Sequence, residues 1–244
     1  MKRTFADLHL RLNPNDTAVA QRVIAKAAAL GYGLVSVPFS PETRESEISS
    51  FRSVCNEVKV DFASRVDLVP RTRDQLMRLL RKLRRRFEVV CVACENKEVA
   101  RQAAKDRRVD LLSFPSLDYR GRFFDWAEAE LASSSLAALE VDVKPLLLLE
   151  GSARVRLLSC LRREVSIARE FHVPVVVSSG VGTEVLLRKP RELAAFVSLL
   201  GSDEVSALDA VSVNPLAIVL RNREKLSRGF VAPGIRVVKE GRDC

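Results

Sequence analysis

Asp7 and His9 stand two residues apart in Asp7-Leu8-His9-Leu10-Arg11, a spacing that places both side chains on one face of a β-strand. An acid and an imidazole at the end of a strand are materials for a metal-dependent phosphoesterase, which holds its ions with several neutral imidazoles and carboxylates. Asp67, Glu140 and Asp142 could add oxygen ligands. Histidine runs short, however. Arg11 stands where the first strand of such a barrel would carry a second imidazole, the chain has 2 histidines in all, and His172 precedes its strand and so falls at the opposite end. The residues therefore point to Asp7 and His9 as a hydrogen-bonded polar pair inside the fold, with no catalytic residue, metal or cofactor. A free-standing phosphoesterase using the pair is the alternative.

Two further groupings invite chemistry. Cys91 and Cys94 form a C-x-x-C, but positions three apart on a strand face opposite ways, so they are expected to be buried small residues. Ser178-Ser179-Gly180 follows a β-branched run and could offer backbone N–H groups to a phosphate. Nucleotide-binding loops of the G-x-G-x-x-G and Walker types and the G-x-S-x-G hydrolase elbow are absent.

The remaining chemistry is positive charge. Between Arg71 and Arg86 there are 8 basic residues, including Arg71, Arg73, Arg78, Arg81, Lys82 and Arg85, against Asp74 alone. Leu76, Leu79, Leu80, Leu83 and Phe87 fall on one side of a helix, and Arg78, Arg81, Lys82 and Arg85 fall opposite. Like charges at three- and four-residue spacing repel by about 0.2–0.5 kcal/mol per pair. That face is either a solvated surface tolerating the repulsion or one that meets phosphates and releases counterions. Smaller basic groups are Arg107-Arg108, Arg188-Lys189 with Arg191, and Arg221 with Arg223.

These residues need elements to hold them. Apolar runs at Phe5–Leu10, Leu34–Phe39, Ala63–Val69, Val89–Cys94, Asp110–Pro115, Ala138–Val143, Val173–Val177 and Ala210–Pro215 read as eight strands. Between them lie helices over about 17–30, 43–58, 73–86, 97–105, a helix within 120–135, then 153–171, 190–200 and 216–226. Asp16 and Asn96 are expected N-caps, Pro190 opens a helix, and Gly31 and Gly201 close two. Strand and helix alternating with short connections predict one α/β barrel domain over residues 1–244, ending in a short polar tail from about 236; a doubly wound open sheet is the alternative.

Composition narrows the class further. The chain has 244 residues, 47% of them hydrophobic, and a formal charge of +9, which makes an anionic partner plausible without identifying it. No apolar run is long enough to span a membrane, the first ten residues lack a signal-peptide core, and five cysteines make no disulfide framework. A cytoplasmic location is expected.

Five segments in order resemble the archaeal ribonuclease P protein component 3 family, homologous to the thirty-kilodalton subunit of the eukaryotic enzyme. They are FADLHL, DLLSFP at Asp110–Pro115, LEVDVKPLL at Leu139–Leu147, VVVSSG with LRKPRELAAFVSLLG at Val175–Gly201, and VSVNPLAIVLRNREK at Val211–Lys225. The resemblance spans roughly Phe5 to Phe230. It implies a distorted TIM-like barrel related to metal-dependent phosphoesterases, with the metal ligands largely lost. It implies a non-catalytic subunit of an endoribonuclease in which RNA carries the removal of 5′ leaders from precursor tRNA. The implied partners are the ribonuclease P RNA, precursor tRNA and a second small protein subunit, with a heterotetramer as one assembly. The basic helix matches no motif of that family. A protein scaffold that binds RNA only secondarily is a further reading.

Overall fold

The apolar runs become parallel strands whose outward faces are covered by the surrounding helices and whose inward faces pack on one another in a smaller apolar cluster that includes Ala6, Leu34, Ala63, Val89, Leu111, Ala138 and Val176. The computed structural model describes residues 3–13, 16–232 and 234–237. Its elements are β1 (Phe5–Asp7), α1 (Thr17–Leu30), β2 (Tyr32–Phe39), α2 (Glu45–Glu57), β3 (Asp61–Leu68), α3 (Arg73–Leu83), β4 (Val89–Ala93) and α4 (Lys97–Lys105). There follow β5 (Leu111–Ser113), α5 (Trp126–Ser135), β6 (Ala138–Asp142), α6 (Lys144–Leu148), α7 (Gly151–Glu170), β7 (Val175–Ser178), α8 (Pro190–Leu199), α9 (Glu204–Asp209) and α10 (Val213–Leu226). A small antiparallel hairpin, β8 (Phe230–Ala232) with β9 (Ile235–Arg236), ends the described chain.

The first seven strands form one parallel sheet in sequence order. The expected eighth strand at Ala210–Pro215 is not one. Two carbonyls from this segment close the lower edge of the barrel, Val211 accepting from the Ala6 N–H at 2.9 Å and Ala210 from the Val177 N–H at 3.0 Å. The chain then enters α10 at Val213, with Pro215 in the first helical turn, where a missing N–H costs nothing. At the upper edge, Gly180 donates to the His9 carbonyl at 3.0 Å and Arg11 to the Val181 carbonyl at 2.8 Å. The barrel is thus seven strands drawn shut by two irregular seams.

The caps follow the sequence. Asp16 accepts from the Val19 N–H and Asn96 from the Val99 N–H, while Gly31 takes a left-handed φ of 98° after α1. The basic helix is shorter than its periodicity suggests, ending at Leu83. Arg84 turns inward to Asp110, and Arg86 donates to the carbonyls of Pro41 and Thr43, so the last turn gives way to tertiary bonds.

Rather than joining the outer ring, α10 plugs the N-terminal mouth. Its Ile218 and Val219 pack among the inward residues Ala6, Ala63, Val89 and Ala138, three of them alanines that leave room for a helix. Asn222 donates to the Glu88 carbonyl, Asn214 to that of Val175, and Arg223 reaches Asp61, Glu88 and the Phe62 carbonyl. Four strand beginnings are pinned this way or by Arg221 on Asp110. No helix among the described residues is long and apolar enough to cross a membrane. The expected polar tail begins in β9; its residues 238–244 lie outside the described ones.

Candidate functional site

Asp7 and His9 do not share a face, because β1 ends at Asp7 and the strict alternation ends with it. Asp7 is in register with Val35 of the outer core. Its Oδ1 accepts from the backbone N–H groups of His9 and Ser179, both at 3.1 Å, and burial pushes its carboxyl pKa up. The Ser178-Ser179-Gly180 backbone that could have cradled a phosphate spends its Ser179 and Gly180 N–H groups on Asp7 and on the His9 carbonyl.

The His9 ring turns into the barrel's C-terminal mouth and meets Asp142 through Nδ1 at 2.9 Å and Asp67 through Nε2 at 3.3 Å. At the centre lies Arg65 of β3, fully buried. Its Nη1 and Nη2 donate to the two oxygens of Glu140, its Nε to Asp67 at 2.6 Å, and its Nη1 also to the Leu8 carbonyl. Ser178 donates to Glu140 and Arg11 to Asp142. Burial and Arg65 push the His9 pKa down, but Asp142 and Asp67 outweigh them and carry it up to about 9. Burial would raise the Asp67 pKa, yet Arg65 and His9 hold it well below the usual carboxylate range.

His9, Glu140 and Asp142 each offer one ligand atom, all within 4.8 Å of one another. The chemistry of this set does not suit a metal. An imidazole protonated between two carboxylates donates from both nitrogens and has no lone pair to give. Both Glu140 oxygens are held by Arg65. Three cations, Arg11, His9 and Arg65, already stand among three carboxylates, Asp67, Glu140 and Asp142. Cys91 and Cys94 face opposite ways, Cys91 into the interior cluster and Cys94 into the outer one, and burial raises both thiol pKa values.

A model of the family described as RNase P subunit p30 matches residues 4–227. This chain belongs to that family. It is 30% identical to ribonuclease P protein component 3 of Methanosarcina barkeri over 98% of each chain, and 26% identical to that of Methanocaldococcus jannaschii over 86% of this chain and 90% of the other. A chain in the cryo-EM structure of archaeal ribonuclease P with mature tRNA has the same fold, with a TM-score of 0.82 at 22% identity, covering 98% of this chain and 100% of that one. An amidohydrolase barrel is more distant, with a TM-score of 0.55 at 12% identity over 96% of this chain and 77% of that one.

In this member of the RNase P subunit p30 family, the basic residues fall into two kinds. On α3 and the turns on either side of it, Arg71, Arg73, Arg78, Arg81, Lys82 and Arg85 are exposed. Nearby, the Ser40 hydroxyl, and to a lesser degree Lys82 and Arg86, hold the Glu42 carboxyl below its ordinary pKa. Lys189 and Arg191 are exposed at the start of α8, where Arg188 bends back on the Val185 and Leu187 carbonyls. Others are engaged. Arg108 chelates Asp106, Arg221 holds Asp110, and Arg223 joins Asp61 and Glu88. Arg107 stays exposed near Lys225 at the N-terminal mouth.

Arg65 is the residue that pattern reading missed. A signal was present: Arg65 and Asp67 stand at period two inside an otherwise apolar strand, which places a cation and an acid together on the inner face.

Proposed function

We propose that this chain is a protein subunit of ribonuclease P, a single non-catalytic barrel domain that supports the RNA during removal of 5′ leaders from precursor tRNA. Its contacts to RNA run along the exposed face of α3 and the α8 start, and a second small protein subunit joins it, in pairs or as a heterotetramer, in the cytoplasm. Family membership over residues 4–227 supports the assembly. The structural observation that carries the RNA reading is the outer face of α3 and the turn that follows it, where Arg78, Arg81 and Arg85 stand without an ion-pair partner among the described residues. Repulsion along such a face is relieved by phosphates, whose released counterions make binding salt-dependent. The barrel centre supports a non-catalytic role: Arg65 takes both oxygens of Glu140, leaving that carboxylate none to offer a metal ion, and His9 holds its proton too firmly for a base working near neutrality.

The test is binding of the full-length chain, with its partner subunit, to ribonuclease P RNA across a salt series. Affinity should fall steeply with salt. An interaction that is absent or insensitive to salt counts against the RNA reading. A partner interaction that survives ribonuclease treatment with no RNA affinity of its own would instead favour a protein scaffold.

A further inference from the structure

Below the barrel, between the C-terminal end of α10 and the end of α5, lies a cavity of about 480 Å³ lined by Arg107, Leu136, Arg221, Glu224, Lys225 and Phe230 among others. We propose that this cavity holds one nucleotide unit of an unpaired RNA strand, with its phosphate against Arg107, Arg221 and Lys225 and its base against Phe230. The inference rests on the RNA-binding reading above and adds to it a pocket away from the α3 face.

Arg84 and Arg221 both bind Asp110, so two guanidiniums share one carboxylate. Each also keeps a buried N–H without an acceptor, Arg84 at Nη2 and Arg221 at Nε. Arg107 and Lys225 bring two further cations to the same place, while Glu224 is tied to Arg236. Burial and the charges of Arg221, Arg84 and Arg107 lower the Lys225 pKa against the opposing pull of Asp110. Four cations around one shared acid make a site that an anion stabilises.

Shape and lining select the anion. Apolar surface lines the same cavity, from the half-buried Phe230 and from Leu136, which is 57% exposed and whose carbonyl accepts from Arg221 Nη1 at 3.4 Å. Cations and an aromatic ring lining one cavity suit a phosphate carrying a base, since stacking on a ring accepts any base. A duplex keeps its bases inside and cannot present one to such a cavity. Arg84, the residue that follows α3, belongs to the pocket's charge cluster, so a strand lying on the α3 face is led toward the cavity.

The experiment titrates the full-length chain into a fluorescently labelled single-stranded decauridine at low salt, with AMP as competitor and a duplex of equal length as control. Phe230→Ala should weaken single-strand binding about tenfold, as expected for loss of one stacked base, and leave duplex binding unchanged. Phe230→Trp should retain binding, which separates stacking from damage to the hairpin. Arg107→Ala with Lys225→Ala, both at exposed positions, should lower the salt slope by roughly 0.7 for each phosphate no longer neutralised, without changing the melting temperature. If the wild type binds decauridine and none of these variants differs from it, the pocket is overturned and the RNA reading stands. If the wild type binds neither decauridine nor ribonuclease P RNA, both fall. Displacement by AMP at micromolar concentration would overturn the strand assignment in favour of a free nucleotide.

Discussion

Arg65 donates to both oxygens of Glu140, at 2.6 and 2.7 Å, and neither side chain is exposed to solvent. β3 and β6 are not neighbours in the sheet, so this pair spans the barrel from wall to wall. A guanidinium offers a planar fork that matches a carboxylate and stays charged in any surroundings. It ties two strands that are not neighbours in the sheet through one fully buried ion pair.

Removing one partner leaves a buried charge without compensation. Arg65→Met should lower unfolding free energy by about 3–5 kcal/mol in a urea titration. Arg65→Met combined with Glu140→Leu should be less damaging than the sum of the single changes, because neither charge remains stranded. Additive losses would show that the two residues stabilise the barrel independently.

The same charge balance bears on metal. Purified protein should carry no stoichiometric transition metal, and added manganese should neither raise the melting temperature nor produce phosphatase turnover. Elemental analysis and a thermal-shift titration check this. A metal bound one-to-one would mean that His9 gives up its proton and Glu140 its guanidinium in solution.

Stability should decline as the solution becomes alkaline. His9 titrates near 6.5 when unfolded and about 9 when folded, so its contribution is complete below the lower value and is lost as pH rises through the upper one. The difference is on the order of 3 kcal/mol. Glu128 acts in a lower window: burial and Asp125 outweigh Arg101 and raise its pKa from 4.5 to about 7, so the stability of its protonated form fades across that interval. Asp67 works in the opposite sense, since its depressed pKa makes it stabilising above 3.8 and lost in stronger acid. Urea midpoints measured from pH 4 to 10 should therefore fall in two stages, and His9→Gln should flatten only the upper one. A profile unchanged by that substitution would refute the imidazolium.

Surface and structural arginines should respond differently. Replacing Arg78, Arg81, Lys82 and Arg85 with alanine should reduce the salt slope of RNA binding by about 0.9 for each duplex phosphate left without its cation, with little change in melting temperature. Arg223→Ala should do the reverse, costing about 1–3 kcal/mol by leaving Glu88 Oε1 without its donor, the other oxygen staying on Arg52 and Ser64, while leaving the slope intact. An unchanged slope in the α3 variant would make that helix a solvated face.

The alternation of elements and most of their ends could be read from the sequence because they depend on neighbours a few residues away: Asp16, Asn96, Pro190 and Gly31 act within one turn. The inner face could not. The Arg65–Glu140 pair joins residues 75 positions apart, and nothing local announces the partner. A common face for Asp7 and His9 requires their strand to continue, whereas the seam with Gly180 and Val181 needs the chain to leave regular geometry at Asp7. Ala210–Pro215 has a strand's composition, yet the barrel needs only two carbonyls from it before α10 must turn beneath the mouth. Likewise, Arg221 and Arg223 look like any basic helix end until the strand beginnings they hold are placed beside them.

Gly180 tests whether that seam sets the electrostatics of the centre. Its φ is +67°, and an added Cβ would lie 2.9 Å from Asp142 Cγ. Gly180→Ala therefore imposes backbone strain of about 1–3 kcal/mol and also presses on the carboxylate that receives His9. Moving Asp142 away weakens the attraction that raises the imidazole pKa, so NMR titration of His9 should show a lower pKa than in the wild type, together with a lower melting temperature. A fall in stability with the His9 titration unmoved would assign Gly180 to backbone geometry alone and leave Asp142 held by Arg11 and the β6 backbone.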